Sequence, residues 1–303
     1  MHIVLLTSIY PPEIRSISTM MRELAEGLYA RGHRVTVITP QPEDNLPDEE
    51  KKRQWPTIGR EGPITVVRIK TFGQRTSNHL LRGIAELMLP MLYKHAILKW
   101  VTSEIQGVIV YTPHFPLTQV GTWVKGNYGA RYLLNIQDIF PQNAIDAGIM
   151  RNKMVIRWFE YLERRAYAQA DAITTHTSGG QKFLIEKKQV PPGKITTVYN
   201  WIDVDAFAFP LPSPQENGRQ SFRTQYGLER KFILLFAGIF GPTQGLELVI
   251  EVARRLRDIP EIHFLFVGEG TEKGKLMRMS KECGVHNVTF GPFVPPREYP
   301  ALL

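Results

Sequence analysis

Cysteine is nearly absent: Cys283 is the only one in 303 residues. A single thiol cannot close an intramolecular disulfide, so the chain is held by packing, and a disulfide-stapled secreted domain is excluded. Long apolar runs are missing too. The longest apolar zone, residues 80–100, is interrupted by Arg82, Glu86, Pro90, Lys94 and Lys99, whereas a spanning helix needs roughly 20 mostly apolar residues. The start, MHIVLLTSIYPPE, has no cationic leader and no small-residue cleavage site, so no signal peptide is expected. Acidic residues fall short of basic ones, 29 against 37, leaving a formal charge of +8. That balance suits an anionic substrate, an anionic membrane face or nucleic acid, or simply a solvated basic surface. Zinc-finger spacing, a basic–leucine array and an RNP aromatic motif are absent, which places nucleic acid last.

What is present is an alternation. Residues 2–8, HIVLLTS, read as a buried strand, followed by the loop IYPPEIRS and a helix over 17–31 with Ile17, Met20, Met21, Leu24 and Leu28 on one face. Gly32 stops that helix, and RVTVIT at 34–39 is the next strand. Strand, helix and strand of these lengths make a βαβ unit and hence a parallel sheet. The polar stretch 41–62 reads as a surface loop. Strands are then expected at 64–70, 107–111, 131–136, 172–176 and 195–199, with helices between them, clearest at 158–167.

Residues 207–220, FAFPLPSPQENGRQ, have the composition of a linker. Beyond them the alternation restarts with KFILLFAG, a glycine turn, a helix, HFLFVG, another helix and VTF. Two α/β domains are therefore expected, 1–205 and 206–303. The second shows only about three strands where doubly wound domains commonly have five or six, so a C-terminally truncated domain is expected.

The glycine turn carries the first chemical signal. Gly238, Gly241 and Gly245 lie between a strand and an amphipathic helix whose Leu246, Val249, Ile250, Ala253 and Leu256 share one face. Free N–H groups at a helix start, together with the helix dipole, favour an anion, and Thr243 and Gln244 add neutral donors. Tight packing alone also explains glycine at such a turn. The spacing G-x-x-G-x-x-x-G is neither the dinucleotide fingerprint nor a Walker A loop, and the loop contains no lysine or arginine.

Five segments in order resemble glycosyltransferase family 4, the retaining nucleotide-sugar transferases of the two-domain GT-B fold. They are YPPEIRSISTMMRELAEGLYARGHRVTVIT at 10–39, NIQDIFPQNAIDAG at 135–148, VYNWIDVDAF at 198–207, FAGIFGPTQGLE at 236–247, and the run from FLFVGEG at 264–270 to the end. The second resembles a sub-group making bacterial surface polysaccharides. The resemblance implies two Rossmann-like doubly wound domains, the second incomplete. It implies a nucleoside diphosphate sugar bound between the domains, chiefly on the C-terminal one, and a glycan or lipid-linked acceptor on the N-terminal one. Transfer would retain anomeric configuration, with no obligatory metal and no cofactor. A cytoplasmic protein follows, with peripheral attachment to the inner membrane face as a further expectation.

Departures from the family pattern are informative. Arg15 and Ser16 stand where the first loop usually has two glycines. A basic residue common near Pro242 and Thr243 is missing, and the E-x7-E motif that holds the donor sugar is not found before Leu303, so the 303-residue chain is expected to be inactive. A catalytically silent relative that binds a sugar nucleotide or a partner is the alternative.

On the donor side the resemblance points to Arg15, Ser16, Gly238, Gly241, Thr243, Gln244, Gly245, Glu269, Val294 and Arg297, with the missing charge coming from across the cleft or from Arg297. Asp138, after a buried strand, is the catalytic candidate; its competing reading is a helix cap or a salt bridge to Arg157 or Arg164. His114 is the acceptor-side candidate. Glu269 meets the donor or solvent. His176, His263 and His286 lack metal-ligand spacing. The zone 80–100 is a candidate contact for an anionic membrane, through Leu80, Leu81, Ile84, Leu87, Met88, Met91, Leu92 and Ile97 with Arg82, Lys94 and Lys99 beside them. Pro90 is expected to split it into two short helices, and an ordinary amphipathic helix packed on the sheet shows the same stripe.

Overall fold

The computed structural model describes residues 1–43, 46, 49–71, 79–112, 115–202, 204–205, 222–294 and 299. The stretch 207–220 read as a linker lies outside them. They belong to two compact units, Met1–Ile202 and Asp203–Leu303.

The first unit is built on one eight-stranded sheet. Its strands are β1 (His2–Leu6), β2 (Arg34–Pro40), β3 (Ile58–Glu61), β4 (Ile64–Ile69), β5 (Gly107–Tyr111), β6 (Arg131–Ile136), β7 (Ala172–Thr175) and β8 (Ile195–Thr197). They are ordered β3-β4-β2-β1-β5-β6-β7-β8, all parallel except β3 against β4. β1 is buried along its whole length and shows no polar alternation, as a strand covered on both faces must. Val4 and Leu6 face one side with Val108, Val110, Tyr132 and Leu134. Ile3 and Leu5 face the other with Val35, Val37 and Ile109.

Helix α1 (Ser16–Ala30) covers the second side with Ile17, Met20, Met21 and Ala25. It ends where Gly32 takes φ 81° and its N–H reaches the Tyr29 carbonyl at 2.8 Å, a left-handed stop that disfavours any other residue. The first side is covered by α2 (His79–Trp100), α3 (Thr118–Tyr128), α5 (Lys153–Gln169) and α6 (Ser178–Glu186), with the short α4 (Gln142–Asp146) before α5. Both arms of the chain leave β1 in opposite directions, β2 to one side and β5 to the other. The crevice at the carboxyl ends of β1 and β5 is therefore the switch point where ligands of such sheets bind.

Two expectations need correcting. The stretch 41–62 is not all loop: Ile58–Glu61 pairs antiparallel with β4 through a turn at Gly62, φ 57°. Nor does Pro90 split the apolar zone, for α2 is one helix of 22 residues. Proline removes one intrahelical hydrogen bond, but Ala85 and Leu89 before it and Tyr93, Ala96 and Ile97 after it are buried in the same core, and that burial keeps both halves in register. Ile97 is thus a core residue and not part of an exposed face. No helix among the described residues is long and apolar enough to cross a membrane.

The second unit has β9 (Phe232–Ala237), α7 (Leu246–Arg255), β10 (Ile262–Val267), α8 (Lys273–Glu282) and β11 (Val288–Gly291), with the three strands parallel in the order β11-β10-β9. Leu246, Ile250 and Ala253 of α7 pack with Phe240, Phe264, Phe266 and Leu276, the helical face anticipated from spacing. Leu228, Leu265, Val267 and Val294 form the core on the other side.

Candidate functional site

In the second unit the carboxyl ends of all three strands meet at one edge. After β9 the chain passes Gly238 and Gly241, makes a 3-10 turn at Pro242–Gln244, and enters α7 through Gly245 at φ 61°. Among the described residues Gly245 has no side-chain cap, and a Cβ there would meet nothing within 4 Å. The left-handed backbone, and not crowding, is what requires glycine, and the space beside it is open to a ligand. Glu247 in the first turn is held by Lys275 at 2.6 Å, which lowers its carboxyl pKa.

The turn is braced by the loop after β10. Gly238 N–H donates to the Val267 carbonyl at 2.9 Å, Phe240 N–H to Glu269 carbonyl at 2.9 Å, and Glu272 N–H to Phe240 carbonyl at 3.0 Å. The strand pairing thus continues past both strand ends. It does so only because positions 268 and 270 are glycine. A Cβ on Gly270 would lie 2.5 Å from the Phe240 oxygen, with φ at 155°, and one on Gly268 would strike the Gly238 oxygen. The signal was legible as the two glycines of VGEG.

Lys273 completes the brace and was missed by the sequence reading. Its ammonium donates to the carbonyls of Gly268 at 2.8 Å and Gly291 at 2.9 Å and to the Glu269 carboxylate at 2.7 Å, and it lies 5.8 Å from the Phe240 ring centre. One cation therefore fastens the ends of β10 and β11 and touches the loop after β9. A lysine at the first position of a helix opposes the dipole, so these tertiary contacts decide its place. All three of its N–H groups are engaged, so its charge reaches a ligand as field and not as a direct hydrogen bond.

The remaining donor-side candidates are dispersed. Val294 is buried with Leu228, Leu265 and Val267, so its side chain serves packing. Glu269 is exposed but tied to Lys273. The side chain of Thr243, and Arg297 and His114 entirely, lie outside the described residues. A hollow of about 390 Å³ lined by Lys231, Arg257, His263 and His286 opens at the opposite, amino end of this sheet; it shares no residue with the glycine turn.

In the first unit Arg15 is half-buried and precedes α1, with its backbone extended, and Ser16 is exposed as the first residue of that helix. The PPE loop before them is pinned from below. Arg68 on β4, itself buried, donates to the Pro11 carbonyl at 2.8 Å, pairs with Glu61, and lies 4.4 Å from the Trp55 ring. Buried Glu13 accepts from Glu43 N–H at 2.9 Å. Arg68 too was overlooked, although a lone arginine inside the apolar run ITVVRI is a visible anomaly.

At the centre of the sheet Thr112 donates to the Asn135 carbonyl at 3.1 Å, Gln137 donates to the Asn135 side chain at 2.9 Å, and Asn135 donates to Thr174 at 3.0 Å. Asp138 emerges just beyond, exposed, and its carboxylate makes no hydrogen bond or ion pair among the described residues. The salt bridges to Arg157 or Arg164 are therefore not formed. Tyr111, below it, has its pKa pushed up to about 12 by burial and by the Asp138 charge. No group of three metal-ligating side chains exists among the described residues.

The model of Glycosyltransferase Family 4 matches residues 17–206, and that of Glycosyl transferases group 1 matches 218–303. WcaI of Escherichia coli K12, described provisionally as a colanic acid biosynthesis glycosyl transferase, is 28% identical over 97% of this chain and 72% of its own length. Among solved structures, sucrose-phosphate synthase from Thermosynechococcus elongatus superposes with a TM-score of 0.71 at 15% identity, covering 100% of this chain and 72% of that one. Anabaena HepE in complex with UDP and glucose gives 0.63 at 15% identity, covering 100% and 71%. These likenesses establish the GT-B fold.

Proposed function

This chain belongs to glycosyltransferase family 4, and on that premise we propose that it moves a hexosyl or N-acetylhexosaminyl group from a nucleoside diphosphate sugar to a glycan or lipid-linked acceptor, with retention of anomeric configuration, in cell-surface polysaccharide synthesis. The observation that carries this is the uncapped Gly245 turn at the head of α7, braced by Gly268, Gly270 and Lys273. The leaving group of such a transfer is a diphosphate, so its departure is eased by fixed dipoles aimed at the developing charge. The Gly241 and Gln244 N–H groups are spent on the Ile239 and Gly241 carbonyls at 3.0 and 3.1 Å, so the dipoles come from the head of α7, from Gly245 onward, and the brace keeps that turn from reorganising as charge develops. The HepE complex, in which UDP is bound, supports a nucleotide as the ligand.

The acceptor is assigned to the first unit, at the carboxyl ends of β1, β5 and β6, where Asp138 is an exposed carboxylate without a partner among the described residues. Asp138 would orient an acceptor hydroxyl. The relation to WcaI supports a polysaccharide acceptor.

The test is direct. The protein is incubated with a panel of UDP- and GDP-sugars and lipid-linked saccharides, with product configuration read by NMR. Transfer with retained configuration, lost on Asp138→Asn while UDP or GDP affinity is kept, supports the assignment. Inverted product overturns the retaining reaction. Nucleotide binding without transfer to any acceptor favours the catalytically silent alternative.

A further inference from the structure

The amino ends of the second unit's three strands line the hollow of about 390 Å³. Lys231 stands just before β9, Ile262 and His263 open β10, and His286 and Asn287 precede β11. Strand register brings them together: Ile262 pairs with Phe232 and Phe264 with Val288, so the residues at and before these pairs lie at one level of the sheet. The turn from α7 into β10, residues 257–260, completes the lining.

That lining is cationic. Lys231 and Arg257 carry fixed charge, and His263 and His286 can add to it. They face one carboxylate, Asp258, whose side chain is 88% exposed and 3.9 Å from the Arg257 guanidinium. The Lys231 ammonium gives one N–H to the Pro260 carbonyl, which ties it to the turn, and two N–H groups are left to donate. His263 is buried, and its ring meets the Thr289 hydroxyl at 2.8 Å. Burial and the Lys231 charge hold its imidazole below the ordinary pKa, so cationic potential already converges here. Asn287, 5% exposed, donates its amide N–H to the Ala253 carbonyl at 3.1 Å. Its Oδ1 has no hydrogen bond among the described residues. A buried acceptor left bare is uncommon in folded proteins, and this one belongs to a residue of the hollow.

We propose that this hollow is a second anion site, separate from the glycine turn, that binds a phosphoryl group, free or carried on a small ester. Phosphoryl oxygens accept charge-assisted hydrogen bonds from Lys231 and Arg257, and a P–O–H group donates to Asn287 Oδ1. One ligand thus answers both the charge and the bare acceptor. A carboxylate ion answers the charge but has no proton to give Asn287, and the fixed charge repels a metal cation. The hollow is roomier than a bare phosphate needs and falls within the range of small-ligand pockets, with Ile259, Pro260 and Ile262 as an apolar wall for the body of an ester. The site does not depend on the transfer reaction, so a protein that turns over no donor leaves it standing.

The experiment is a titration of the purified full chain with inorganic phosphate, followed by the imidazole NMR signals of His263 and His286. These are the only histidines in the sequence of the second unit, and His263→Gln and His286→Gln assign them. Phosphate should shift both signals to saturation, whereas acetate at the same ionic strength should not. Bound phosphate favours imidazolium, so the His263 pKa should rise on binding. Arg257→Glu should weaken phosphate by at least about tenfold, the loss expected when a hydrogen bond to a charged group is removed, with an unchanged circular dichroism spectrum because the side chain is exposed. Gly245→Glu, which blocks the glycine turn, should leave the phosphate shifts intact. Glycerol 3-phosphate is titrated in parallel: tighter binding than phosphate assigns the site to an ester, and equal binding assigns it to the free ion. The absence of a saturable shift, an equal response to acetate, or unchanged affinity in Arg257→Glu overturns the proposal. Shifts that vanish in Gly245→Glu place the phosphate at the glycine turn and overturn the second site.

Discussion

Lys273→Met removes the ammonium that fastens the strand ends of the second unit while leaving an apolar stem of similar reach against Phe240. Three contacts are lost, and they are not equal. The Glu269 carboxylate is 62% exposed and rehydrates, so that contact is worth about 0–1 kcal/mol. The carbonyls of Gly268 and Gly291 are approached by a side chain only 17% exposed, and a hydrogen bond to a charged group contributes about 1.5–3 kcal/mol. Taking the lower end for each, the variant should lose about 3 kcal/mol of the second unit's stability. Urea denaturation measures this, with Glu269→Gln as comparator and an expected cost of about 0–1 kcal/mol. Amide exchange at Gly238 and Phe240 should quicken in Lys273→Met, since those N–H groups bond to the loop that Lys273 holds. A loss under about 1 kcal/mol, or a Glu269→Gln cost equal to that of Lys273→Met, refutes the hub.

Gly245→Ala and Gly270→Ala separate backbone strain from collision. The first should cost about 1–2 kcal/mol, since only the left-handed backbone resists it, and the second more, because its Cβ meets the Phe240 backbone; thermal melts rank them. Gly245→Glu should abolish UDP or GDP binding by calorimetry in a folded protein, since a carboxylate repels the diphosphate; unchanged affinity means the turn is structural. Lys188→Met leaves buried Glu163 with only the Tyr167 hydroxyl at 2.9 Å and should cost about 3–5 kcal/mol, with Glu163→Gln added to it restoring part of the loss. Burial lowers the pKa of both His2 and His263 below 6.5, with Arg34 and Lys231 adding to it and the Glu104 carbonyl opposing it at His2. The unfolded chain therefore takes up protons at a pH where the folded chain does not, so stability should fall as pH drops below 6.5 and these two groups should leave it flat above. His2→Gln with His263→Gln should remove that part of the slope.

The alternation of apolar runs and amphipathic helices was enough to set the strand order of events along the chain. Residues 3–6 and 107–111 are apolar throughout, which only a strand covered on both sides tolerates, and the stripe of Leu246, Ile250 and Ala253 fixed the inward face of α7. The glycines at 238, 241 and 245 likewise marked a turn, because few other residues accept the left-handed backbone at Gly245. What sequence could not decide were contacts between residues far apart in it. Lys273 reads as a surface lysine until Gly268 and Gly291 converge on it from two strands. The strand at Ile58–Glu61 exists because β4 offers it an unpaired edge, and polar composition concealed it. Pro90 remains helical because the core holds both flanks of α2. Among the described residues Asp138 has no ion pair, and Arg157 and Arg164 of α5 are exposed, a matter of helix rotation that a list of nearby charges does not contain.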